Sequence, residues 1–134
     1  MKAISTWQKK FQSVVTNDRG HKVIVDLPST KNGDDAGPTS FELSLMALAG
    51  CYSTIFALVA SKSRVEIHSL KVECQAQTTE DGMRFTEITT TVEVASPANE
   101  ATLQRVLKQT EQICPVGSIF QQAQIPNRSI LIKK

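Results

Sequence analysis

Short alternating stretches open the chain, one long apolar run follows, and alternation then returns. Ala3 to Trp7, Phe11 to Thr16 and Lys22 to Leu27 are brief segments with β-branched or alternating residues, the pattern of short strands. Asn17-Asp18-Arg19-Gly20 separates the second from the third and carries a glycine suited to positive φ. Lys31 to Gly37 reads as a loop long enough to be functional or mobile. Thr39-Ser40-Phe41-Glu42 then fits a capping box, in which the Thr39 hydroxyl accepts from the Glu42 amide and the Glu42 side chain reaches back. From Leu43 to Val59 nearly every position is apolar, which predicts a central helix covered on all sides and ending near Lys62 to Arg64.

Beyond that helix the period changes. Ile67 to Thr78 places Leu70, Val72, Cys74 and Ala76 on one face and Lys71, Glu73, Gln75 and Gln77 on the other, a strand with one wet side. Glu80-Asp81-Gly82 turns the chain, and Arg84 to Val94 returns as the second arm of an antiparallel hairpin. Leu103, Val106, Leu107 and Thr110 recur at helical spacing within a helix from Asn99 to Ile113. Cys114-Pro115 breaks it, Val116 to Gln124 fits a further short helix, and Ser129 to Ile132 a last strand. The order of elements predicts an α/β (α+β) fold in a single domain over residues 1–134.

Composition narrows the function classes. Fifteen basic and thirteen acidic residues leave a net charge of +2, and 40% of the chain is hydrophobic. No basic run or aromatic-basic interleaving suggests nucleic acid. The uncharged stretch from Leu43 to Ser61 approaches the length that spans a bilayer, but strands flank it on both sides, so a core helix is expected and no membrane partner. No signal-peptide run opens the chain, and a cytoplasmic location is expected, where thiols stay reduced. Three cysteines do not make a disulfide framework. His21 and His68 show no ligand spacing, so neither a metal nor a cofactor is expected.

The cysteines differ in context. Cys74 sits on the apolar face of a strand, where a cysteine acts as a small hydrophobe. Cys51 lies in the long apolar helix, where packing is the usual role, but Gly50 beside it suggests the close approach of a backbone or a ligand. Cys114 precedes Pro115, a residue favoured at the first helical position, so Cys114 is the expected N-cap of the next helix. Amides and dipole there would lower its thiol pKa; an inert Cys-Pro corner is the plainer alternative.

Two blocks together resemble the OsmC/Ohr family of osmotically inducible and organic-hydroperoxide-resistance proteins. The first is Gly37 to Cys51, with its proline, Glu-Leu, Ala-Leu and Gly-Cys positions; the second is Cys114-Pro115-Val116. The resemblance implies an OsmC-like fold: an intertwined homodimer whose antiparallel strands wrap around two long helices, the central one buried and carrying Cys51. It also implies reduction of organic or inorganic hydroperoxides, with Cys51 as peroxidatic thiol, Cys114 closing an intramolecular disulfide and an external dithiol reductant restoring both. A buried thiol needs a cation to hold its thiolate. Family peroxidases take an arginine from the N-terminal β-region, held by a glutamate near the start of the central helix. Here Trp7 to Phe11 offers Lys9 and Lys10, and Arg19 falls in the next turn, so these three are the candidate cations. Glu42 is the candidate glutamate, one residue nearer Cys51 than in the family pattern, where Phe41 stands instead; that is a rotation of about 100°. These departures keep a second reading open: a non-catalytic dimer binding a small apolar ligand in an interfacial pocket.

Overall fold

The computed structural model describes Met1–Lys134, whose internal contacts divide it into two compact units, Met1–Ser44 and Leu45–Lys134. The first holds strands β1 (Ala3–Lys9), β2 (Gln12–Asn17) and β3 (Lys22–Val25) in an antiparallel meander of that order. The Asn17 side chain makes the second turn by accepting from the amides of Arg19 and His21, both at 3.0 Å, and Gly20 takes φ 83°.

The segment after β3 is stapled rather than loose. Asp26, 3% exposed, accepts from the Leu27 amide at 2.8 Å and from those of Asp34 and Ala36 at 3.2 Å. Chain packing against this carboxylate is close enough to require two glycines. A Cβ on Gly33 would lie 1.8 Å from the Leu27 carbonyl oxygen, and one on Gly37 2.3 Å from that of Ile24.

Helix α1 (Ser40–Lys62) begins in the first unit and continues into the second. Its start is the expected capping box: the Glu42 amide donates to Thr39 Oγ1 at 3.1 Å, and the Thr39 amide to Glu42 Oε2 at 2.7 Å. Its end is also where the charges placed it, with Arg64 at φ 55° and Val65 N–H bonded back to Ala60 at 2.8 Å, a six-residue closure of the last turn.

In the second unit β4 (Ser69–Thr78) pairs antiparallel with β5 (Phe85–Ala95), and β5 pairs with β6 (Asn127–Lys133) in parallel. The parallel pair departs from an all-antiparallel expectation. Between β5 and β6 run α2 (Glu100–Ile113) and α3 (Pro115–Gln122), the long helical crossover that parallel strands need. Leu48, Tyr52, Phe56 and Val59 of α1 meet Ile88, Val92 and Val94 of β5, Leu103, Val106 and Leu107 of α2, and Phe120 of α3 in one core. The α2 stripe is the predicted one. On β4 the wet side holds Lys71, which pairs with Glu73 at 3.1 Å and with Glu93 of β5 at 3.4 Å.

By itself this chain covers α1 on one face. Within this chain only the face through Leu48, Tyr52, Phe56 and Val59 is buried, while Met46 is 55% and Leu58 43% exposed. A Cβ on Gly50 would meet nothing within 4 Å, so no backbone of this chain approaches there.

Candidate functional site

Helix α1 presents Cys51, half-buried, one residue before the core residue Tyr52. Cys114 arrives from the other end of the unit, and its backbone serves two helices. Its amide closes α2 by donating to the Thr110 carbonyl at 2.9 Å, and its carbonyl opens α3 by accepting from Ser118 at 3.0 Å. Pro115 occupies the first position of α3, where a missing N–H costs nothing. The Cys114 sulfur accepts from the Gly117 amide at 3.3 Å, which makes it the N-cap that the sequence predicts.

These elements bring the two sulfurs to 2.9 Å, with the Cys114 thiol donating to Cys51 Sγ. Both thiols are free, and the separation exceeds the roughly 2.05 Å of a disulfide bond. The contact spans 63 residues of sequence.

The electrostatics of Cys114 reverse one expectation. N-capping was to lower its pKa, but burial pushes the thiol up to about 12, with the neighbouring Cys51 sulfur adding to the rise. The Gly117 amide acts in the opposite direction and is outweighed. At 1% exposure, Cys114 loses more by desolvation of its anion than the Gly117 and Val116 amides return. Cys114 is therefore the thiol that keeps its proton, and Cys51 is the sulfur that receives its hydrogen bond.

Tyr52 forms the wall of this site, and sequence reasoning passed over it. Its hydroxyl accepts from Asn127 Nδ2 at 3.2 Å and lies 3.5 Å from Ser129 Oγ. Asn127 in turn accepts from Thr90 Oγ1 at 3.0 Å, and Thr90 lies 3.5 Å from Cys74 Sγ. Burial raises the pKa of both Tyr52 and Cys74. Gly117 belongs to the same wall: a Cβ there would stand 3.4 Å from Cys114 Sγ and 3.5 Å from Tyr52 Cε2. Its position three residues after Cys114, where an N-cap finds its amide, was the available signal.

The expected charged partners lie in the first unit. Lys9 pairs with Asp34 at 2.8 Å and Lys10 bonds the same carboxylate, which the two ammonium groups hold down at a pKa of about 2. Glu42 is exposed and occupied by its capping box, where the Thr39 amide and hydroxyl lower its pKa. Arg19 is exposed in the turn between β2 and β3. His68 pairs with Glu66 at 3.1 Å and His21 with Asn17 at 3.1 Å; no three His, Cys, Asp or Glu residues cluster as metal ligands would.

A fold of this order has counterparts among solved structures. An OsmC-like protein from Mycoplasma pneumoniae superposes with a TM-score of 0.85 at 17% identity, covering 98% of this chain and 95% of that one. The organic hydroperoxide resistance protein OhrB of Bacillus subtilis gives 0.62 at 17% identity over 100% and 98%. An organic hydroperoxide resistance protein OsmC from Legionella pneumophila gives 0.71 at 10% identity over 98% and 97%. No curated protein matches the sequence. Residues 33–127, which carry both cysteine blocks, match the family described as OsmC-like protein. By that match and this fold, the chain belongs to the OsmC-like protein family.

Proposed function

We propose that this chain is a thiol-dependent hydroperoxide reductase of the cytoplasm. Cys51 attacks the peroxide and becomes a sulfenic acid, Cys114 condenses with it to a disulfide, and an external dithiol restores both thiols. The observation that carries this reading is the 2.9 Å approach of two reduced sulfurs, one half-buried and one enclosed. The half-buried sulfur is the one a small substrate reaches, and the enclosed one is positioned to resolve. Relatives of the same fold described as organic hydroperoxide resistance proteins add support. Arg19 is the candidate cation, since Lys9 and Lys10 are taken up by Asp34. In this reading the active form is a homodimer, with a second copy covering the outer face of α1 around Met46 and Leu58.

Purified protein should consume tert-butyl hydroperoxide in the presence of dithiothreitol, and Cys51→Ser should abolish this. Equal turnover by the two proteins would overturn the proposal. A second reading, a dimer that binds a small apolar ligand without turnover, is favoured by the pairing of Lys9 and Lys10 with Asp34 and of Glu42 with Thr39. An inert wild type that remains dimeric would support it.

A further inference from the structure

We propose that Cys114 has a second task, earlier than disulfide closure: its S–H is the proton donor to the leaving alkoxide when Cys51 attacks an alkyl hydroperoxide. This rests on the peroxidase reading above. Three observations carry it. The Cys114 thiol already donates toward Cys51 Sγ at 2.9 Å, so a proton lies beside the reacting sulfur before substrate arrives. Cys114 is enclosed, with 1% of its surface exposed, so that proton is not shared with solvent. The Gly117 amide donates to Cys114 Sγ at 3.3 Å, which steadies the thiolate left on that sulfur once its proton has gone.

In the first step the Cys51 thiolate attacks the distal oxygen. An S–O bond forms, the O–O bond breaks, and its electron pair leaves on the alkoxide. The Cys114 proton passes to that oxygen, directly or through one water, and yields the alcohol. An alkoxide is a stronger base than even a strongly desolvated thiolate, so the transfer runs downhill. What remains is a Cys114 thiolate facing the Cys51 sulfenic acid. Its attack forms the S–S bond, breaks the S–O bond and releases hydroxide, which takes a proton from solvent. The peroxide gains two electrons and the two thiols lose two. Donating the proton thus generates the nucleophile of the next step, and a buried thiol that ionises poorly by itself becomes a competent resolving group.

Leaving-group chemistry tests this. The rate at which the Cys51 thiol disappears is measured in single turnover for the reduced wild type, Cys114→Ser and Cys114→Ala. Each receives tert-butyl hydroperoxide or peroxyacetic acid, whose acetate departs without needing a proton. The ratio of the tert-butyl hydroperoxide rate to the peroxyacetic acid rate should fall about tenfold or more in Cys114→Ala. It should stay within about threefold of wild type in Cys114→Ser, which keeps an O–H donor. A ratio unchanged in Cys114→Ala, or lowered equally in both variants, overturns the donor role while leaving the peroxidase reading intact. A wild type whose Cys51 reacts with neither oxidant overturns both.

Discussion

Enclosure of the Cys114 thiol makes the reduced protein sensitive to alkali, and the size of the effect follows from the site. An ordinary thiol of this kind titrates near 9.0, whereas Cys114 in the folded chain is pushed up to about 12. Between these values the unfolded chain has given up a proton that the folded chain still holds. The number of protons bound in the unfolded state is then the smaller one, so stability falls as pH rises. The contribution is fully present below about 9, declines through the window up to about 12 and is spent above it. At pH 10 the loss from this group amounts to roughly 1 kcal/mol, one unit of displaced titration. The assay is urea unfolding of reduced wild type and Cys114→Ala at pH 7.5 and pH 10. The variant is less stable throughout, since it leaves a small cavity, but it lacks this titration. The difference between the two proteins should therefore narrow by roughly 1 kcal/mol on going to pH 10. Parallel stability losses in the two proteins would refute the reasoning.

Asp26→Ala removes the acceptor of three amides and should destabilise the first unit by about 3 kcal/mol, read as a lower urea midpoint and faster amide exchange at Leu27, Asp34 and Ala36. Leu58→Glu places a charge on the outer face of α1, and light scattering after size exclusion should show a shift from dimer toward monomer; an unchanged mass would remove that face from the proposed interface.

Local signals carried much of this fold in the sequence. The Thr39–Glu42 capping box, the Leu103–Thr110 stripe and the Cys114 N-cap each depend on residues within two turns of one another, and each forms as expected. The buried face of α1 could not be read the same way. A helix apolar all round has no stripe to mark which side this chain covers, and only packing decides it. The parallel seat of β6 was hidden for a related reason, because strand direction follows from the crossover through α2 and α3 rather than from the strand itself. Both thiols were legible, yet the direction of the Cys114 shift was not. Its N-cap is local, but the burial that outweighs it comes from elements distant in sequence. The Tyr52, Asn127 and Thr90 network escaped for that reason too, since its bonds span 75 and 37 residues.

The double duty of Cys114 ties chemistry to chain geometry. One residue ends α2 with its amide, starts α3 with its carbonyl and caps α3 with the same sulfur that faces Cys51. In the proposed catalytic cycle that sulfur bonds to Cys51, and its hold on the Gly117 amide is then drawn on as well. Oxidation in that cycle would be felt at a joint between two helices, where a small rotation of one side chain alters how a turn begins. On the proposed chemistry, reduced and oxidised protein should differ in the way α3 begins, and the dithiol that reduces the disulfide would meet a differently finished helix end.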